Sequence, residues 1–144
     1  KLIAAIKSDS DFKDVKPLIR NSTVMTRIAK GYTDSEIKAL ANYFSDQKLF
    51  TAQQGVSLSL ASDGRKLHEK YCASCHKNNG KSSNVDAGVL VGQWKSYFLW
   101  TMSDYLDGSR EMPRAMEVLV NDMIAASGVE SLKQLANYYA SATP

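Results

Sequence analysis

The chain has 144 residues, 44% hydrophobic and 23% charged, which suits one ordinary domain or two small ones side by side. No apolar run approaches the roughly 18 residues that suggest a membrane span, and the 18 basic and 15 acidic residues are interspersed, without the dense basic block that a phosphate backbone calls for. Composition thus argues against a membrane span and against a nucleic-acid partner, and the net charge of +3 bears at most on docking rates. The opening Lys1 to Ile6 is too short for the apolar core of a signal peptide, so the sequence reads as a mature or trimmed form.

In chain order, the first strong signal is Thr33-Asp34-Ser35-Glu36, a capping box followed by Ile37, Leu40, Ala41 and Phe44 at helical spacing. Met25 lies eight residues before it. Residues 51–62 read as a connector, and Gly64 to Tyr71 as a short helix ending at Cys72-Ala73-Ser74-Cys75-His76. Residues 94 to 106 place Trp94, Tyr97, Phe98, Thr101, Met102 and Tyr105 on one helical face, with Leu99 and Trp100 off it, left to pack on the first unit or on a partner subunit. A loop with Gly108 and Pro113 leads to Met116, Met123 falls in the next apolar stretch, and Ser127-Gly128-Val129-Glu130 reads as a second capping box opening the last helix.

Leu40-Ala41-Asn42-Tyr43-Phe44 returns as Leu135-Ala136-Asn137-Tyr138-Tyr139, an internal repeat at an offset of 95 residues. By this repeat Met25 takes the place in the first unit that Met116 takes in the second. The expected organisation is all-α: a partial helical unit over 1–50, the connector, and a complete unit over 63–144.

The two cysteines are the only ones in the chain, and their C-x-x-C-H spacing is that of c-type haem attachment. Two thiols three positions apart at a helix end reach both vinyl groups of one porphyrin, and the following His76 comes under the iron as an axial ligand. A thioredoxin-like pair needs a strand and helix crossover that the flanks lack. A structural zinc site needs about four ligands, and only His68 is left to add. A plain disulfide leaves the rest of the pattern unexplained. Met116 is expected as the sixth ligand, on an irregular segment stiffened by proline, with Met112 as its competitor. Trp94, Tyr97 and Phe98 are expected as apolar walls of the haem pocket, Met102 and Met123 as core packing. His68 is expected as an exposed or satisfied surface histidine, with an added metal such as copper as the alternative. Met25 has no preceding haem motif and is expected to be structural.

The segments GRKLHEKYCASCH, VGQWKSYFLWTMSDYLDGSREMPRAM and SLKQLANYYAS, in that order, resemble the two-domain cytochromes c, especially the cytochrome subunit of flavocytochrome c sulfide dehydrogenase. VMTRIAKGYTDSEIKALANYF resembles the methionine loop and final helix of that family's first domain. The resemblance implies a cytochrome c-like fold with one covalent haem c on Cys72, Cys75, His76 and Met116. It further implies an FAD-bearing, sulfide-oxidising partner subunit, a downstream electron acceptor and a periplasmic location. The departure is that the family usually carries two haem motifs and this chain has one. A free carrier delivering electrons to a terminal oxidase is the alternative, and a gas-binding haem sensor with an open sixth position is a third reading.

Overall fold

Thr33 opens its helix as the sequence predicts. The computed structural model describes residues 23–48, 50–81 and 87–142. Within them the Thr33 hydroxyl oxygen accepts from the Glu36 N–H at 3.3 Å, and the Glu36 carboxylate accepts from the Thr33 N–H at 2.7 Å. Each side chain satisfies a backbone donor that the first helical turn leaves open. The Thr33 backbone and hydroxyl hydrogen bonds hold the Glu36 carboxyl below its usual range. The result is helix α2 (Asp34–Ser45), preceded by α1 (Thr23–Ala29). The amphipathic face of α2 buries no residue: Leu40, Ala41 and Phe44 line an open apolar groove of about 280 Å³ with Met25, Ile28 and Tyr32.

The chain divides into two compact units, Lys1–Lys48 with Ser109–Glu111, and Leu49–Gly108 with Met112–Pro144. Residues 1–22 of the expected first unit lie outside the described residues. All regular structure among the described residues is helical.

In the second unit, helix α3 (Leu58–Leu67) begins inside the expected connector, capped by Ser57, whose hydroxyl accepts from the Leu60 N–H. The stretch before it is held to the same unit: the Ala52 N–H donates to the Gly92 carbonyl (2.9 Å), the Ser57 N–H to the Asn137 side-chain oxygen (2.9 Å), and the Gln54 amide to the Gln93 carbonyl (2.8 Å). Residues 51–62 are therefore part of the second unit's structure. One turn of π-helix (His68–Cys72) follows, then a four-residue turn α4 (Lys77–Gly80), α5 (Lys95–Leu106), α6 (Arg114–Ser127) and α7 (Ser131–Ser141).

Helix α3 crosses α7 at Gly64. A Cβ there would stand 2.1 Å from the Gln134 carbonyl oxygen and 2.8 Å from the Tyr138 Cβ, so only glycine admits this approach of two backbones. Around the crossing lies the core of Val91, Met102, Val120, Met123, Leu132, Leu135, Tyr138 and Tyr139. Met102 and Met123 are packing residues, as expected. Leu99 packs against this core within its own unit, whereas Trp100 is 68% exposed.

The second capping box does not form. Ser127 ends α6, and Gly128, at φ 74°, terminates it with its N–H donating to the Ile124 carbonyl at 2.8 Å. A glycine with positive φ is a helix stop, so the next helix starts at Ser131 without a side-chain cap from Glu130. Glu130 pairs instead with Lys133 at the exposed surface.

Candidate haem-attachment site

The two cysteines and His76 are placed by the end of the α3 segment. The wide π turn brings the Ala73 N–H onto the His68 carbonyl (2.9 Å), after which the Cys75 and His76 N–H groups both donate to the Cys72 carbonyl at 3.2 and 2.9 Å. Cys72, Cys75 and His76 thus share one tight turn. Both thiols are unpaired. Cys72 packs against the core and burial pushes its thiol up, whereas Cys75 is exposed.

Immediately beyond, Asn78 (φ 53°), Asn79 (φ 59°) and Gly80 (φ 83°) run left-handed and turn the chain back. Gly80 has a second constraint, since a Cβ would lie 2.9 Å from the Tyr139 ring. Its carbonyl accepts from the Leu90 and Val91 N–H groups at 2.9 and 3.2 Å. This return brings the Gly88 carbonyl to 2.9 Å from His76 Nδ1. A carbonyl can only accept, so Nδ1 carries the proton and the Nε2 lone pair is left for a metal. A backbone carbonyl on the far nitrogen is the usual way a ligating histidine is held in orientation.

Met116 sits in the first turn of α6, not in a loop. Pro113, at φ −56°, is the residue from which that helix starts, because its fixed φ suits a helix entry. The irregular position just before it is Met112. Both methionines are half-buried and pack against the core. Of the expected pocket walls, Phe98 packs inward against Tyr139 with ring centroids 5.6 Å apart, while Trp94 (53%) precedes α5 and is exposed with Tyr97. Met25 lies in α1, in the groove already described.

His68 is not a surface residue. It is 1% exposed, its Nδ1 lies 2.9 Å from the Tyr139 hydroxyl, and its ring packs against those of Tyr138 and Tyr139. The cause is the Gly64 crossing, which turns the residue one helical turn later toward α7 as well. Burial holds the His68 pKa below its ordinary value. Its Nε2 is buried without a partner. Among the described residues, no cluster of three or more His, Cys, Asp or Glu side chains is placed to hold a metal ion.

Tyr139 is the residue that sequence reasoning passed over. It touches His68, Gly80 and Phe98, and its carbonyl accepts from the Gly92 N–H at 3.0 Å. The available signal was a tyrosine at a core position of an amphipathic helix, since its hydroxyl must find a partner there.

These residues fit a covalently attached haem. Two unpaired thiols stand on one turn with a histidine whose Nδ1 is already tied, and two thioethers lie half-buried against the same core. No protein-family model matches the sequence, and no curated protein matches it either.

Proposed function

We propose that the chain is a c-type cytochrome of cytochrome c-like fold that serves as the electron-transfer subunit of a flavin-dependent, sulfide-oxidising complex in the periplasm. The observation that carries the haem reading is the Gly88 carbonyl on His76 Nδ1, on the turn that bears both thiols. A redox thiol pair or a plain disulfide gives that histidine no such duty. When bound, the haem supplies exchange of single electrons with the partner and with a downstream acceptor. Cys72 and Cys75 attach it, His76 ligates the iron, and Met116 is the sixth ligand, with Met112 competing. Phe98 and Tyr139 exclude water on the core side. The first unit carries no haem motif in this chain, and Met25 has a structural place there, lining the open apolar groove.

The sulfide-oxidising FAD partner rests on the resemblance of the attachment, GQWKSY and MPRAM segments to the cytochrome subunit of flavocytochrome c. The test is to purify the protein gently from its source and record the visible spectrum before and after adding sulfide. Co-purifying flavin absorbance and rapid reduction of both chromophores is the expected result. A flavin-free haem protein that sulfide reduces slowly would replace it with a diffusible carrier feeding a terminal oxidase.

A further inference from the structure

Tyr139 holds the chain return beyond His76 at both of its ends. At the near end, Gly80 is buried against the Tyr139 ring, so close that a Cβ would stand 2.9 Å from a ring carbon. At the far end, the Gly92 N–H donates to the Tyr139 carbonyl at 3.0 Å. The Gly80 carbonyl accepts from the Leu90 and Val91 N–H groups at 2.9 and 3.2 Å, and the Gly80 N–H donates to the His76 carbonyl at 3.2 Å. Gly80 therefore joins the backbone of His76 to the segment that ends at Gly92. Gly88 lies just before the tied Leu90, and its carbonyl is the one 2.9 Å from His76 Nδ1.

The ring that sets this spacing is itself fixed. Its hydroxyl lies 2.9 Å from Nδ1 of His68, a residue of the π turn that leads to Cys72, and its other neighbour is Phe98, with centroids 5.6 Å apart. His68 and Tyr139 are each 1% exposed, so water does not replace either side of that hydrogen bond. With its tip tied and its ring packed, the side chain keeps one rotamer. The hydrogen bond on His76 is exposed and competes with water, so it persists only where its acceptor is held in place.

We propose that Tyr139 is a positioning residue for His76: its ring on Gly80 and its carbonyl on Gly92 clamp the return that presents the Gly88 carbonyl to His76 Nδ1, with His68 holding the ring. The inference rests on the haem reading above. An acceptor on the far nitrogen raises the basicity of a ligating imidazole, which favours the electron-poor, oxidised iron. The clamp therefore lowers the potential relative to an untethered histidine. Tyr139 acts through the backbone and needs no contact with the iron.

The experiment compares wild-type, Tyr139→Phe, Tyr139→Leu and Leu132→Ala holoproteins, with covalent haem verified by mass, in an equilibrium redox titration. Exchange of the His76 Nδ1 proton in the ferrous form is followed by NMR. Tyr139→Leu takes the ring off Gly80 and is expected to raise the equilibrium constant for haem reduction about two- to tenfold, the span of one net hydrogen bond; tenfold is about 59 mV for a one-electron couple. The Nδ1 proton should exchange faster by a similar factor. Tyr139→Phe keeps the ring and should shift both readings less. Leu132→Ala removes a buried side chain elsewhere on α7 and should leave the potential at the wild-type value. Wild-type readings in Tyr139→Leu, or an equal potential shift in Leu132→Ala, overturn the positioning role and leave the haem reading standing. A wild-type chain that takes up no covalent haem overturns both. Should Tyr139→Leu fail to fold, the wild-type holoprotein decides. Its His76 Nδ1 proton and its Leu90 and Gly92 amide protons should exchange through one common opening, and an Nδ1 proton that exchanges while those amides stay protected defeats the clamp.

Discussion

Helices α2 and α7 carry nearly the same five letters and have opposite fates. In α7, Leu135 is 3% and Tyr139 1% exposed; in α2 their counterparts Leu40 and Phe44 are 41% and 67% exposed. Sequence made both helices amphipathic. Only α7 has Gly64 and the turn bearing Cys72 laid against it, and it is that partner which converts an apolar stripe into a core. Amphipathicity states a need for cover without saying what supplies it.

The largest expected contrast is spectroscopic. If the chain carries the proposed haem, Met116→Ala should open its sixth position and let carbon monoxide bind the ferrous protein strongly, while Met25→Ala, its counterpart in the first unit, leaves the spectrum unchanged. The same behaviour from Met112→Ala alone, with Met116→Ala silent, would move the ligand four residues back. Next comes the crossing itself: Gly64→Val drives side-chain atoms into the Gln134 backbone and should destabilise the second unit by about 3 kcal/mol or more in urea denaturation. Leu135→Ala removes a buried side chain and should cost about 3 kcal/mol, against less than about 1 kcal/mol for Leu40→Ala. Equal costs would show that α2 is covered in solution. The caps give a smaller contrast, since Thr33→Ala should cost about 1 kcal/mol while Glu130→Ala changes helix stability little.

The subtlest contrast is in pH, because both histidines of the chain lie in the second unit. His68 is held neutral by burial, so its folded pKa is below the unfolded value of 6.5. The unfolded chain then binds more protons as acidity rises, and stability that is complete above pH 6.5 is lost as pH falls toward the folded value. A denaturation series between pH 7 and pH 4 should show this loss in the wild type and a shallower one in His68→Phe. Parallel curves would mean that His68 titrates alike folded and unfolded.

Much of this molecule follows from local chemistry. The all-helical class, the Thr33 capping box, the packing roles of Met102 and Met123 and the sharing of one turn by Cys72, Cys75 and His76 depend on residues within a few positions of one another, so spacing suffices to read them. The same reasoning misplaced Ser127 and Glu130, because Gly128 works as a helix stop, and it put Met116 in a loop, because Pro113 opens a helix there. What only the tertiary structure decided lies across long separations: the burial of His68 beneath Tyr139, the Gly88 carbonyl on His76, and the tie from Ser57 to Asn137 that draws the expected connector into the second unit. Each depends on two backbones meeting at Gly64 or turning back through Asn78, Asn79 and Gly80, and a periodic pattern of side chains along one helix holds no record of which other helix it will meet.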